Sequence, residues 1–178
     1  MTEPSPSATP GPSTPRIRAE TGSDAAAVRA LIAAAFAGAP HSDGSEPRIV
    51  EALRRAGTLS LSLVAQQAGA LRGHVAFSPV AIGDAAGWYG LGPLAVAPAW
   101  QGRGIGSALA RAGLAALRER GAAGCVVLGE PGYYARFGFR VQAGCVLPGV
   151  PPAYFQVLAF AGAVPRGPVR YQPAFGGG

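Results

Sequence analysis

The sequence predicts a mixed α/β (α+β) fold, one sheet with helices packed on it, in a single domain. Three observations carry this. Apolar residues fill 49% of the 178 positions and charged residues only 13%, enough for an ordinary core and against global disorder. The apolar spacing switches between a period of two and a period near 3.6 along the chain. The resulting element order, β-α-α-β-β-β-α-β-α-β-β, combines an antiparallel meander with one β-α-β crossover.

Residues 1–15 form a Pro/Ser/Thr-rich stretch without periodicity and are expected to be a disordered tail. Arg16 to Ala19 alternates as a short first strand, and Thr21 to Asp24 offers helix caps. Val28, Leu31, Ile32 and Phe36 follow at helical spacing. Ala39 to Ser45 reads as a loop, and Pro47 suits the start of a second helix whose apolar face is Ile49, Val50 and Leu53. Leu59 to Gln66 and Leu71 to Ile82 form two extended runs around the turn Ala68-Gly69, a hairpin signal. After a turn at Gly83 to Gly87, Gly90 to Ala97 is apolar throughout, as in a central buried strand. Pro98 ends it.

A long amphipathic helix carries Ile105, Leu109, Ala112 or Gly113, Ala116 and Leu117 and stops at Gly121. Cys125 to Leu128 is a short buried strand, and Gly132 to Phe137 an aromatic helix or turn. Phe139 to Val141 and Tyr154 to Phe160 read as two closing strands. Val164 to Gly178, rich in Pro and Gly, is expected to wrap the surface or fray. The domain is therefore placed at residues 16–162, with 163–178 as a C-terminal tail.

Composition narrows the function classes. No apolar run approaches the roughly 20 residues that span a bilayer, and the start of the chain has neither the basic nor the apolar segment of a signal peptide. A cytoplasmic protein with no membrane partner is expected. The net charge is +6 and every one of the 15 basic residues is Arg. These are scattered rather than clustered, which argues against nucleic acid as a partner while still favouring a polyanionic ligand. The two cysteines, Cys125 and Cys145, suit a reducing compartment, and no Cys/His spacing suggests a metal site.

The chemistry begins at Gln101-Gly102-Arg103-Gly104-Ile105-Gly106-Ser107, between the buried strand and the long helix. Glycines there let the backbone approach a ligand, and the N–H groups of a helix start, with the positive end of its dipole, face an anion. A pyrophosphate fits such a nest, and Arg103 adds a charge. A plain strand–helix turn is the alternative reading. The segment is not a Walker A loop, having no Gly-Lys-Ser/Thr, and it lacks the third glycine and following acidic residue of a dinucleotide fingerprint.

The run Leu94-Ala95-Val96-Ala97-Pro98-Ala99-Trp100-Gln101-Gly102-Arg103-Gly104-Ile105-Gly106 resembles the acetyl-coenzyme A segment of the GNAT N-acetyltransferases. Val127 to Phe139, containing Gly129-Glu130-Pro131-Gly132-Tyr133-Tyr134-Ala135-Arg136-Phe137-Gly138-Phe139, is similar to that family's closing Tyr-x-x-x-Gly-Phe segment. It looks most like a bacterial branch of acetyltransferases with unassigned substrates. The resemblance spans residues 16–160, and two motifs in the right order are far more specific than either alone. It implies a GNAT-like mixed, mostly antiparallel sheet of six to seven strands flanked by about four helices.

It also implies a mechanism. Two central strands would splay at a bulge, for which Gly92-Pro93 is suited, and the pantetheine arm would lie against the backbone of Leu94, Ala95 and Val96. A backbone N–H near Leu94 would polarise the thioester carbonyl. Gln101 belongs to the same motif, and Gly102, Arg103, Gly104, Ile105, Gly106 and Ser107 would hold the pyrophosphate. An amine would attack acetyl-CoA directly, and Tyr134, four residues before Gly138, would protonate the leaving thiolate. An aromatic packing role is the alternative for Tyr134, and Tyr133 is expected to be core or substrate wall.

The strand Tyr89 to Ala97 lacks the carboxylate that many family members use as a base. Glu130 is the nearest candidate, or else a helix-start carboxylate. Glu46 and Glu51 are alternatives for binding a cationic substrate, and a solvated helix face is the bland reading of Glu51. His74 and Cys125 read as structural. The expected activity is N-acetyl transfer from acetyl-CoA to an unidentified small-molecule, peptide or protein amine, by a monomer or homodimer needing no metal. The alternatives are transfer of another acyl group, a catalytically silent acyl-CoA-binding module and, on charge alone, a nucleic-acid-binding domain. Acceptor specificity is expected in the loops at residues 38–48 and 146–153.

Overall fold

The structure is a computed structural model that describes residues 14–176. Most of the expected N-terminal tail, residues 1–13, and the last two residues of the expected C-terminal tail lie outside the described residues. The main sheet has six strands in the order β1-β2-β3-β5-β6-β8. These are β1 (Arg16–Ala19), β2 (Leu61–Gln67), β3 (Ala70–Pro79), β5 (Trp88–Val96), β6 (Gly124–Leu128) and β8 (Phe155–Ala159). All neighbours are antiparallel except β5 and β6, which run parallel because the helix α3 (Ile105–Glu119) crosses between them. Helices α1 (Ala25–Phe36) and α2 (Glu46–Ala56) cover the opposite face, and the one-turn α4 (Pro131–Tyr134) follows β6.

The period of two decides what each face meets. Leu63 and Ala65 of β2 and Val75 and Phe77 of β3 point to α3, where they pack with Ile105, Leu109, Leu114 and Leu117. The intervening Val64 and Ala76, with Ala95 of β5, meet Val28 and Ile32 of α1 and Val50 of α2. Phe77 is fully buried and its ring lies directly on α3: a Cβ at Gly113 would stand 2.2 Å from it. That approach explains why a glycine, a poor helix former, occupies the middle of this helix.

Three regions differ from the sequence expectation. The extended run to Ile82 is broken at Val80, leaving a separate two-residue strand, β4 (Ala81–Ile82). The closing strand expected at Phe139 to Val141 is a single bridge between Arg140 and Val157, since neighbouring backbone turns away at Gly138 and after Val141. The stretch after Val164 is more ordered than its composition suggests. Its β9 (Gly167–Arg170) pairs with β4 on one side and β7 (Cys145–Val146) on the other. Val169 is thereby buried in a cluster with Trp88, Val126 and Phe155.

An ion pair holds the first turn to the sheet edge. Arg18 of β1 donates two hydrogen bonds to Asp24, at 2.7 and 3.0 Å, and Asp24 also accepts the Thr21 N–H at 2.8 Å. The Arg18 hydrogen bonds, followed by the Thr21 N–H, hold the Asp24 carboxyl well below the usual carboxylate range. A depressed folded value means this contribution to stability is fully present above the ordinary aspartate value of about 4 and is shed as pH falls through the folded value. Asp24→Asn is therefore expected to lower the thermal midpoint at pH 7 and to lose much of that difference by strongly acidic pH. A difference unchanged by acidification would contradict the role given to this carboxylate.

Candidate functional site

The parallel pairing of β5 with β6 covers only Trp88–Leu91 against Gly124–Val127. Beyond Leu91, β5 continues along β3 alone, with Leu94 opposite Val75 and Ala95 opposite His74. Between the Leu91–Phe77 and Leu94–Val75 pairs, β5 spends Gly92 and Pro93 where β3 spends only Ala76. This is the bulge expected at Gly92-Pro93, and the two central strands part there. Ala97 donates its N–H to the Arg72 carbonyl at 2.8 Å on the β3 side. Backbone polar groups alternate in direction along a strand, so those of Leu94 and Val96 face the gap.

The glycine-rich turn closes one end of that gap. Pro98–Trp100 form a 3₁₀ turn, and Gln101 folds back so that its side-chain amide donates to the Val96 carbonyl at 3.1 Å. Gly102 (φ +76°) and Gly104 (φ +84°) both require the left-handed conformation, and a Cβ at either would meet open space. Gly104 is the N-cap of α3, and its carbonyl accepts the first helical N–H, from Ala108. The amides of Ile105, Gly106 and Ser107 precede that bond and have no acceptor four residues back within the helix. Arg103 lies 4.7 Å from the centre of the Trp100 ring, and Arg72 lies 4.4 Å from the same ring. Arg103 thus begins from a stacked position beside the turn.

The two adjacent tyrosines diverge. A Cβ at Gly106 would stand 2.8 Å from the Tyr133 hydroxyl, 3.5 Å from Val96 Cγ2 and 3.9 Å from Leu94 Cδ2. Tyr133 therefore reaches the helix start and the gap-lining strand together. Arg136 stacks 4.4 Å from the Tyr133 ring, donates to the Tyr133 carbonyl at 2.9 Å, and points a second donor at Ser107 Oγ, 3.5 Å away. Neither contact is evident from sequence; the only available signal is the three-residue spacing of Tyr133 and Arg136 on a short helical segment. Tyr134 instead packs its ring over Gly129 and edge-on to Tyr133 and Phe139, at 5.0 and 6.0 Å between ring centres. Burial, reinforced by the neighbouring Tyr133 and Cys125, pushes the Tyr134 phenol above its ordinary value of 10.

Glu130 is exposed at the N-cap of α4. Its carbonyl accepts the N–H groups of Tyr133 and Tyr134, both at 3.1 Å, while its carboxylate makes no cap hydrogen bond. Cys125 is fully buried, and desolvation pushes its thiol up, which suits a structural role. His74 is also fully buried: its Nε2 lies 2.8 Å from Ser62 Oγ and 3.7 Å from the Glu20 carboxylate, which in turn pairs with Arg54. Among the described residues, no three His, Cys, Asp or Glu side chains come together as metal ligands, and no helix is long and apolar enough to cross a membrane.

Comparison with known proteins agrees with this architecture. Residues 59–141 match the acetyltransferase (GNAT) domain family. The chain is 41% identical over 151 residues to the uncharacterised N-acetyltransferase YhbS of Escherichia coli K12, covering 82% of this chain and 87% of that protein. It superimposes on a GNAT family acetyltransferase from Brucella melitensis crystallised with acetyl-CoA, at 52% identity and a TM-score of 0.82, covering 90% of this chain and 97% of the other. Escherichia coli YhbS crystallised with CoA gives 36% identity and a TM-score of 0.85, over 96% of each chain.

Proposed function

Because this chain belongs to the GNAT acetyltransferase superfamily, in a bacterial branch with unassigned substrates, we propose that it transfers an acetyl group from acetyl-CoA to an amine. One observation carries the reading: the strand edge of Leu94 and Val96 opens into the gap beside β6 and leads straight to the glycine-rich start of α3. The residues fit the cosubstrate. Backbone groups of Leu94 and Val96, with Ala95 between them, offer an extended edge to a pantetheine amide chain. The amides of Gly102 to Ser107 form a nest for a pyrophosphate, and Gln101 holds that nest against Val96. Arg103, swinging from Trp100, supplies a cation to a phosphate.

Acetyl-CoA, when bound, supplies the activated thioester carbonyl. A backbone N–H beside Leu94 receives the charge that develops on the carbonyl oxygen. As the amine nitrogen bonds to the carbonyl carbon and the C–S bond breaks, Tyr134 gives its phenolic proton to the departing sulfur and recovers one from solvent. Burial makes the phenol a weaker acid but keeps it protonated across the working pH range, so the proton is always in place. Glu130, exposed and free of a cap bond, takes the proton released by the amine, through water.

The reading is tested by titrating the full chain with acetyl-CoA and then following thiol release against a panel of amines. Saturable binding with turnover is expected. Absence of binding overturns the reading, and binding without release on any amine favours a silent acyl-CoA-binding protein.

A further inference from the structure

We propose that Arg136 and Arg111, on the α4 side of the start of α3, bind the 3′-phosphate of coenzyme A, and that the protein thereby selects the complete coenzyme over its 3′-dephospho form. The inference rests on the transferase reading above and adds the ligand group that these two side chains recognise. Neither side chain belongs to the pyrophosphate nest of Gly102 to Ser107, which Arg103 approaches from the Trp100 side.

Arg136 is held in place by its own neighbours. Its guanidinium lies over the Tyr133 ring, 4.4 Å from the ring centre, and its Nε donates to the Tyr133 carbonyl at 2.9 Å. Its Nη1 points at Ser107 Oγ, 3.5 Å away, which is long for a hydrogen bond. An anion between the two groups accepts from both at a better distance. The same Tyr133 carries its hydroxyl to Gly106, Val96 and Leu94. The platform under Arg136 is thus a residue that lines the gap, and the cation is fixed at the edge of the cosubstrate channel. Arg111 follows Ser107 by four residues on α3, on the same helix face. It lies 5.1 Å from the ring centre of Phe137, the residue next to Arg136. Both arginines are exposed, and among the described residues neither takes part in an ion pair.

The chemistry of the ligand selects the group. Coenzyme A carries a pyrophosphate and, on the same ribose, a separate phosphomonoester. The pantetheine arrives along Leu94 and Val96, so the ribose lies beyond the nest, across the start of α3. One ribose separates the two anionic groups, and one turn of α3, about 6 Å, separates Ser107 from Arg111. A phosphomonoester is close to doubly charged at neutral pH. Two guanidinium groups match it, each able to give two N–H groups to phosphate oxygens. The Trp100 side offers less, since Arg103 is committed to the pyrophosphate and Arg72, on the same ring, keeps its Nε shielded from solvent. The selection also makes a free coenzyme A thioester the donor in preference to an acyl group on phosphopantetheine alone, which lacks the 3′-phosphate.

The test titrates the full chain by calorimetry with coenzyme A and with 3′-dephospho-coenzyme A. Coenzyme A is expected to bind about tenfold or more tightly, the worth of one or two charge-assisted hydrogen bonds. Arg136→Gln is expected to bring that ratio toward unity, weakening coenzyme A and sparing the dephospho form. Arg111→Gln is expected to lower the ratio in part. The thermal midpoint reports whether each variant is folded, and both substitutions fall on exposed side chains. Equal affinities in the parent overturn the proposal, as does a ratio that survives Arg136→Gln. Two further results also overturn it: Arg136→Gln weakening both ligands alike, which puts Arg136 on the pyrophosphate, and a ratio lost only in Arg103→Gln, which puts the 3′-phosphate on the Trp100 side. Each of these leaves the transferase reading intact. Binding of neither ligand removes that reading, and this proposal with it.

Discussion

Tyr134→Phe is expected to slow coenzyme A thiol release by about 10²–10⁴-fold, the usual worth of a positioned general acid, with acetyl-CoA affinity retained. The substitution keeps the ring that covers Gly129 and packs against Phe139, so the fold loses only a hydroxyl. Single-turnover thiol release separates the chemical step from binding and product loss. Because burial raises the phenol above its ordinary value, the parent protein should show no alkaline loss of rate from this group below about pH 10. A change of only a few-fold would reject Tyr134 as the acid. Tyr133→Phe is the informative partner, since the Tyr133 hydroxyl is the one that stands against Gly106.

Phe77→Ala is expected to destabilise the protein by about 3–5 kcal/mol, as for other fully buried aromatic truncations. Its ring is completely buried and bridges the sheet to α3, so little can collapse into the space it leaves. Chemical denaturation should show the midpoint falling with the slope unchanged. The same ring explains Gly113, and the explanation can be checked in the same experiment. Gly113→Ala alone would force a Cβ to within 2.2 Å of Phe77. In the Phe77→Ala background that clash is gone, and alanine should be tolerated or favoured as the better helix former. Additive effects of the two changes would contradict the contact.

Much of this fold is legible because long elements repeat their signal. The α3 seam of Ile105, Leu109 and Leu117 and the alternation of Leu63, Val64 and Ala65 each give several residues that agree. The three short strands give no such signal. Two residues, as in Ala81–Ile82 or Cys145–Val146, show no period, and β9 begins Gly167-Pro168 in a stretch whose composition suggests a loop. Their order comes from pairing with each other and from burial of Val169 beside Trp88, information that no single segment contains. Arg140 shows the converse error: adjacent apolar residues Phe139 and Val141 suggested a strand, yet Val141 is exposed and only one bridge forms.

The candidate site divides in the same way. The bulge at Gly92-Pro93 and the positive φ angles of Gly102 and Gly104 are local backbone properties, and the residue types announce them. The partner choices are not local. Which of two adjacent tyrosines faces Gly106 depends on how α4 docks, and the link from His74 through Ser62 to Glu20 joins two strands and the turn after β1. Glu46 is visible as an acidic residue near a helix start, whereas the burial of its Oε2 without a hydrogen-bond partner is set by the packing around it.

The small three-stranded sheet also sets an order of events. Its middle strand is the last of the described strands, and its neighbours come earlier, β4 at Ile82 far earlier and β7 at Cys145 more closely. A ribosome releases β4 long before it releases β9, so the apolar surface around Trp88 and Val126 waits uncovered until Val169 arrives. The central sheet has no such delay, since β2 and β3 meet across a two-residue turn. The six-stranded sheet can therefore form before this cluster is covered, and chains cut short before Gly167 would leave that surface exposed to other chains.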